Sequence, residues 1–197
     1  MKYFFSKEHV ITKTQIGQFV DLLDNFIANK KPTEHLLPNL QYGISYDHIK
    51  NQVGELVEQL IGPHEVPGCF LQRTKRPLHV HSDYSNNSNG KDSYYAILFP
   101  LRFDGPCSTV VFKEKGEKSH IEMDDPKTDY KYTDDQLSKV KHNKEFVLER
   151  LSYPETIDWH PGNVIVWDRR HFHCSDNFLT NETTYKDSLV LFTTRIQ

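Results

Sequence analysis

The 197-residue sequence holds only three cysteines, Cys69, Cys107 and Cys174, and no two of them form a CxxC pair. So sparse and odd a set excludes a disulfide framework and a zinc knuckle, and it fits a reducing compartment, the cytoplasm. Long apolar runs are missing as well. None approaches the roughly 20 residues of a membrane-spanning helix, and the apolar run within Met1–Glu8 is too short for a signal peptide. Nor is positive charge in excess. The net charge of −3 leaves no global basic field for nucleic acid. The lysines near 113–118 and 139–144 are interrupted by acidic residues and read as solvated surface. Hydrophobic residues, at 37%, are few for a globular chain, but 12 Phe, 10 Tyr and 2 Trp bring a large apolar area per residue. One domain over residues 1–197 is expected, without internal repeats.

What is present falls into two periods. Over residues 14–30, Ile16, Phe19, Val20, Leu23, Phe26 and Ile27 recur at helical spacing behind Thr14 as N-cap, and Pro32 lies beyond the end. A second stripe, Ile49, Val53, Leu56, Val57, Leu60 and Ile61, predicts a helix over 46–61 that stops at Gly62-Pro63. From Gly68 the pattern changes to short aromatic and β-branched runs between turn residues. Strands are expected at 68–74, 77–82, 93–102, 108–113, 156–159, 163–168, 171–175 and 187–195. A polar loop should fill 84–92, and 114–150 should be a charged insertion with a helix over 133–149. Eight strands after two helices suggest an α+β chain. Its core, over 68–195, would be a double-stranded β-helix, or jelly roll, with helical support from 1–65 packed on one sheet.

The chemistry-bearing residues are His79-Val80-His81-Ser82-Asp83 and, late in the chain, Trp167-Asp168-Arg169-Arg170-His171-Phe172-His173. A histidine and an aspartate two apart on a strand point to the same side. Two imidazoles and one carboxylate on one triangular face suit non-haem Fe(II), because the opposite face stays open for a co-substrate and O2. The residues alone offer His81, Asp83 and either His171 or His173 as ligands. His79 shares the face of His81.

His81-Ser82-Asp83 followed by Pro161-Gly162-Asn163-Val164-Ile165-Val166-Trp167-Asp168-Arg169-Arg170-His171-Phe172-His173 resembles the 2-oxoglutarate- and Fe(II)-dependent oxygenases, nearest their prolyl-hydroxylase-like branch. There a glycine opens a hydrophobic strand ending in an aromatic and an aspartate, with the metal histidine five residues on. Asp168 to His173 is that spacing. The resemblance covers residues 68–195 and implies Fe(II) on His81, Asp83 and His173, with His171 and His79 left aside. It implies 2-oxoglutarate as co-substrate, its far carboxylate held by a basic residue at the start of the last core strand. Lys186, thirteen residues past His173, is preferred there over Arg195, which faces the other way. Tyr94 and Thr109 are expected to line the co-substrate pocket, and Arg73, Tyr84 and Arg170 to meet the prime substrate. Of the other histidines, His64, His120, His142 and His160 read as exposed, and Asp168 reads as structural.

The activity implied is hydroxylation of a peptidyl proline, an amino acid or a small metabolite, with release of succinate and CO2. The alternative is a cupin-type metal protein on a similar barrel. His79-x-His81 would start such a motif and His173 with Asn177 would end it, but Ser85 and Asn86 stand where its glutamate belongs.

Overall fold

Thr12 begins the first helix: its hydroxyl accepts from the Gln15 amide while the Gln15 side chain accepts from the Thr12 N–H, a reciprocal cap. The computed structural model describes residues 4–31, 38–83, 93–152 and 154–196, so the expected 84–92 loop and Tyr84 lie outside the described residues. Helix α1 spans Lys13–Asn29 and α2 spans Lys50–Ile61, the latter preceded by a 3-10 turn at Tyr46–His48. Around them lie two short strands that the sequence reading missed, β1 (Phe4–Lys7) and β2 (Leu40–Gly43). Both lie before Gly68, where the alternating runs begin, and beside the helical stripes.

The other strands follow the expected runs: β3 His64–Thr74, β4 Ser93–Phe103, β5 Ser108–Lys115, β6 Glu155–Asp158, β7 Val164–Asp168, β8 His171–Ser175 and β9 Lys186–Arg195. All the strand pairs are antiparallel. They form a six-stranded sheet in the order β1-β7-β4-β9-β3-β2 and a three-stranded sheet in the order β6-β5-β8. The architecture is an α+β jelly roll.

Alternation along each strand decides which core a residue enters. Ala96, Leu98, Ile165, Trp167 and Val190 of the large sheet meet Val111 and Ile157 of the small one, with Trp159 and Phe178, in the inter-sheet core. Their neighbours Ile97, Phe99, Val164, Val166, Leu189 and Leu191 face outward, where Phe19, Leu23, Val53 and Val57 of α1 and α2 cover them. Each such buried side chain contributes about 1.5–3 kcal/mol. At the turn into β7, Gly162 sits at φ +91° and its carbonyl accepts from Val10 and Ile11, fastening the N-terminal segment.

The outer face of the small sheet is covered by the insertion. Val110, Phe112 and Phe172 pack with Ile121, Val140, Leu148 and Leu151. Here the expected single helix over 133–149 is corrected to two, α3 (Asp134–Val140) and α4 (Glu145–Leu148). Asn143 marks the break: its amide donates to the Val140 carbonyl while its Oδ1 accepts from Val80 N–H at 2.7 Å.

The expected strand at 77–82 is also corrected. Only His81 pairs in a ladder, by a two-way backbone bridge with His173 at 3.0 and 2.8 Å. Pro77 has no N–H to give, and the N–H groups of Val80, Ser82 and Asp83 go to Asn143, Ser119 and Arg169 instead.

Candidate metal and co-substrate site

That bridge sets His81 beside His173 at the open edge of the small sheet. The rings lie 4.4 Å apart between centroids. Each imidazole is held from behind. His81 Nδ1 is 2.7 Å from the His79 carbonyl and His173 Nδ1 is 3.0 Å from the His171 carbonyl. A carbonyl only accepts, so each Nδ1 carries the proton and each Nε2 keeps its lone pair.

Both Nε2 atoms face Asp83. One carboxylate oxygen is 3.7 Å from His81 Nε2, and the other is 3.3 Å from His173 Nε2. One ligand atom from each residue lies within 4.8 Å of the others, a spacing at which a single ion can be shared. Asp83 Oδ2 is buried with no hydrogen-bond partner among the described residues. A buried carboxylate oxygen without a partner is costly unless a cation meets it. Two lone pairs and one anionic oxygen thus fit a divalent metal of the Fe(II) type. Burial pushes the His173 imidazole down to about 4, so it is neutral at pH 7 and available as a ligand.

Asp83 is positioned by its backbone. Its N–H donates to the Arg169 carbonyl at 3.0 Å, and its own carbonyl accepts from the Arg169 guanidinium at 2.9 Å. Arg169 is 6% exposed, donates also to the Thr193 carbonyl and lies over the Phe192 ring. Asp168 has the structural role expected of it: it accepts from the Arg170 N–H and guanidinium and from Lys115. Burial works against its charge, but those bonds outweigh it and hold the carboxyl well below the usual range.

The triad opens into a cavity between the sheets, lined also by Thr109, Trp159, Trp167, Lys186 and Val190. Lys186 is 2% exposed, and its ammonium donates to the Ser108 carbonyl at 2.9 Å and sits over the Trp159 ring at 4.2 Å. Thr109 Oγ1 accepts from Trp159 Nε1 at 2.9 Å. Arg195 is exposed, stacked on Tyr94 and absent from the cavity lining. Lys186 and Arg195 stand nine positions apart on β9, so they face opposite sides of it.

Tyr94 is a correction. Its hydroxyl donates to the Ile61 carbonyl at the end of α2, and the ring packs with Tyr95 against the helix-side core. The β4–β9 register shifts between Ser93 and Ala96. That bulge sends both tyrosines to one side, and the β4 residue at the cavity is Leu98.

Arg73 is another correction. It is bound through Nε and Nη2, one edge of its guanidinium, to Asp187 at 2.8 and 2.9 Å and reaches Asp24, within a network that includes Arg102. Arg170 bonds Asp168. His171 is buried with Nδ1 on the Phe112 carbonyl, outside the triad. His79 is exposed against the His142 ring, which leaves the cupin pattern without its first ligand at the cavity. His142 is not exposed as expected: it is half-buried, and burial pushes it down to about 4. His64 too is half-buried, with Nδ1 on the Gly62 carbonyl. Trp167 belongs to the stretch singled out in the sequence, whereas the place of Trp159 in the cavity and the hold of Arg169 on Asp83 leave no mark there.

No protein-family model and no curated protein matches the sequence. Solved structures match along nearly all of it. The non-heme alpha ketoglutarate dependent epimerase SnoN from nogalamycin biosynthesis superposes with a TM-score of 0.65 at 10% identity, over 98% of this chain and 78% of its own. HygX from Streptomyces hygroscopicus, with nickel, 2-oxoglutarate and hygromycin B bound, gives 0.62 at 13% identity, over 98% and 83%. A Pseudomonas putida prolyl-4-hydroxylase gives 0.60 at 10% identity, over 99% and 94%. The chain has the 2-oxoglutarate oxygenase fold. The triad and Lys186 share the space between the two sheets.

Proposed function

We propose that the chain is a 2-oxoglutarate- and Fe(II)-dependent dioxygenase, one domain over residues 1–197, in which His81, Asp83 and His173 hold the metal. The observation that carries this is the pairing of two anchored, outward-facing Nε2 lone pairs with an unpartnered buried carboxylate oxygen in one cavity with a buried ammonium. Bound iron would supply the redox chemistry with O2, with 2-oxoglutarate leaving as succinate and CO2.

The chain's own residues orient and exclude. The carbonyls of His79 and His171 fix the tautomer of each imidazole, and Arg169 fixes the backbone of Asp83. Lys186 receives the distal carboxylate as a point charge. Trp159 shields it from water, and Thr109 holds the Trp159 ring. The substrate is a small molecule or a peptidyl residue that becomes hydroxylated. Small-molecule ligands in the SnoN and HygX structures, a nogalamycin compound and hygromycin B, favour the former. Three buried free cysteines accord with a cytoplasmic protein. Among the described residues, no helix is long and apolar enough to cross a membrane.

Anaerobic addition of Fe(II) and 2-oxoglutarate should give a visible charge-transfer band that Asp83→Ala and His173→Ala each abolish. A band that survives both substitutions would show the triad to be wrong. Screening candidate compounds for stimulated succinate release then identifies the substrate.

A further inference from the structure

Three residues past His173, in the bend after β8, Asp176 is buried beside Lys186, with 3% of the residue exposed. The two share Ser108. Asp176 Oδ2 accepts from Ser108 Oγ at 3.1 Å and its N–H donates to the Ser108 carbonyl at 3.2 Å. Lys186 Nζ donates to that same carbonyl at 2.9 Å. The other carboxylate oxygen, Oδ1, has no hydrogen-bond partner and lies 3.9 Å from Nζ. The pair therefore sits side by side and buried, separated by more than a hydrogen bond. With one proton between them the two groups are electrically neutral, whichever of them carries it.

A distal carboxylate brought to Lys186 adds a second anion to the same buried space. One ammonium cannot offset two carboxylates there, and an unbalanced buried charge is far costlier than a bound proton. We propose that Asp176 is the counter-ion of the co-substrate pocket: it competes with the distal carboxylate of the 2-oxo acid for Lys186 and forces uptake of a proton when that carboxylate binds. The inference rests on the oxygenase reading of Lys186. The pair holds one proton before binding and two after, so the count does not depend on where the first proton sits.

Of the groups around the pair, Asp158 adds to the rise of the Asp176 carboxyl, and Lys186 adds to the lowering of His142. Cys107 and Cys174 flank it, and burial pushes both thiols up to about 12, so they stay neutral. Asp158, Lys139 and His160 border the groove on the far side of Asp176. Burial already lifts the Asp176 carboxyl above its ordinary range, against the pull of Lys186, and burial lowers the Lys186 ammonium, against the pull of Asp176.

The test is calorimetry on the anaerobic Fe(II)-loaded protein, with each ligand titrated in buffers of different ionisation enthalpy. The ligands are 2-oxoglutarate and 2-oxopentanoate, which keeps the keto-acid end and carries a methyl in place of the distal carboxylate. Binding of 2-oxoglutarate should take up about one proton, and its Kd should weaken about tenfold per unit rise in pH over roughly pH 7–8. Binding of 2-oxopentanoate should take up none. In Asp176→Asn combined with Lys186→Arg, neither member titrates, and the uptake with 2-oxoglutarate should vanish. Equal proton counts for the two acids, or a Kd that does not change with pH, overturns the inference. Failure of the oxygenase reading looks different: 2-oxoglutarate then does not bind, or binds no tighter than 2-oxopentanoate, and the role of Asp176 falls with it.

Discussion

Lys186 is the residue whose replacement separates binding of the co-substrate from binding of the metal. It lines the cavity without belonging to the His81–Asp83–His173 cluster. A hydrogen bond to a charged group contributes about 1.5–3 kcal/mol. Lys186→Met keeps most of the volume over Trp159, so it should weaken 2-oxoglutarate by about 10- to 150-fold and leave Fe(II) affinity within about threefold, both read by anaerobic titration. An unchanged 2-oxoglutarate affinity would transfer the role to Arg195, despite its exposed position. The site was legible here because its residue types are rare and their spacing is tight: His81 and Asp83 stand two residues apart, and His173 stands five residues past Asp168. Tyr94 was not legible, because a bulge is set by the ladder between β4 and β9 and leaves no mark on the residue itself. Asp176 was equally silent. A carboxylate in a polar bend looks solvated until the fold buries it beside Lys186.

At the scale of elements, the segment before Asp83 is held by the insertion more than by a sheet. Asn143 supplies the acceptor for Val80 N–H, one residue before a metal-ligand candidate. Asn143→Ala leaves that buried donor unpaired and should cost about 1–3 kcal/mol, measured by urea denaturation, while loosening Fe(II) because His81 loses its support. The neighbouring His142 places its Nε2 on the Leu78 carbonyl and stays neutral in the fold down to about pH 4. An unfolded histidine titrates near 6.5. Above that pH the residue is neutral in both states and has no effect. As pH falls from about 6.5 toward 4, the unfolded chain gains a proton that the native state refuses, so stability is lost across that window. His142→Phe should make the fall of Tm between pH 6.5 and 4 shallower. It should not abolish the fall, since burial lowers His173 to about 4 as well.

For the whole molecule, ligands that bind only the folded state must raise its stability by mass action. Fe(II) or Mn(II) at about 100 times its Kd should add about 2.7 kcal/mol, roughly 5–10 °C for a chain of this size. Addition of 2-oxoglutarate should add a second increment that depends on the metal, and a chelator should remove both. A cupin-type protein would show the first increment without the second, so a melting curve with and without 2-oxoglutarate decides between the two readings.

Sequence alone determined the class of fold and the three ligand candidates. Apolar period switches from helical to alternating near Gly68, and two histidines with an aspartate at family spacing need no coordinates to be noticed. It also determined the two helices that cover the large sheet, since α1 and α2 carry continuous stripes over whole turns. Tertiary structure decided the rest. It brought His173 to His81 through a backbone bridge while His171 turned to the Phe112 carbonyl, and placed Lys186 inside and Arg195 outside through the alternation of β9. It split the insertion helix at Asn143 and drew Arg73 into an ion-pair network with Asp187 and Asp24. Each of these depends on which strand lies beside which, and such long-range pairings are set by the packing of both sheets together rather than by any local run of residues.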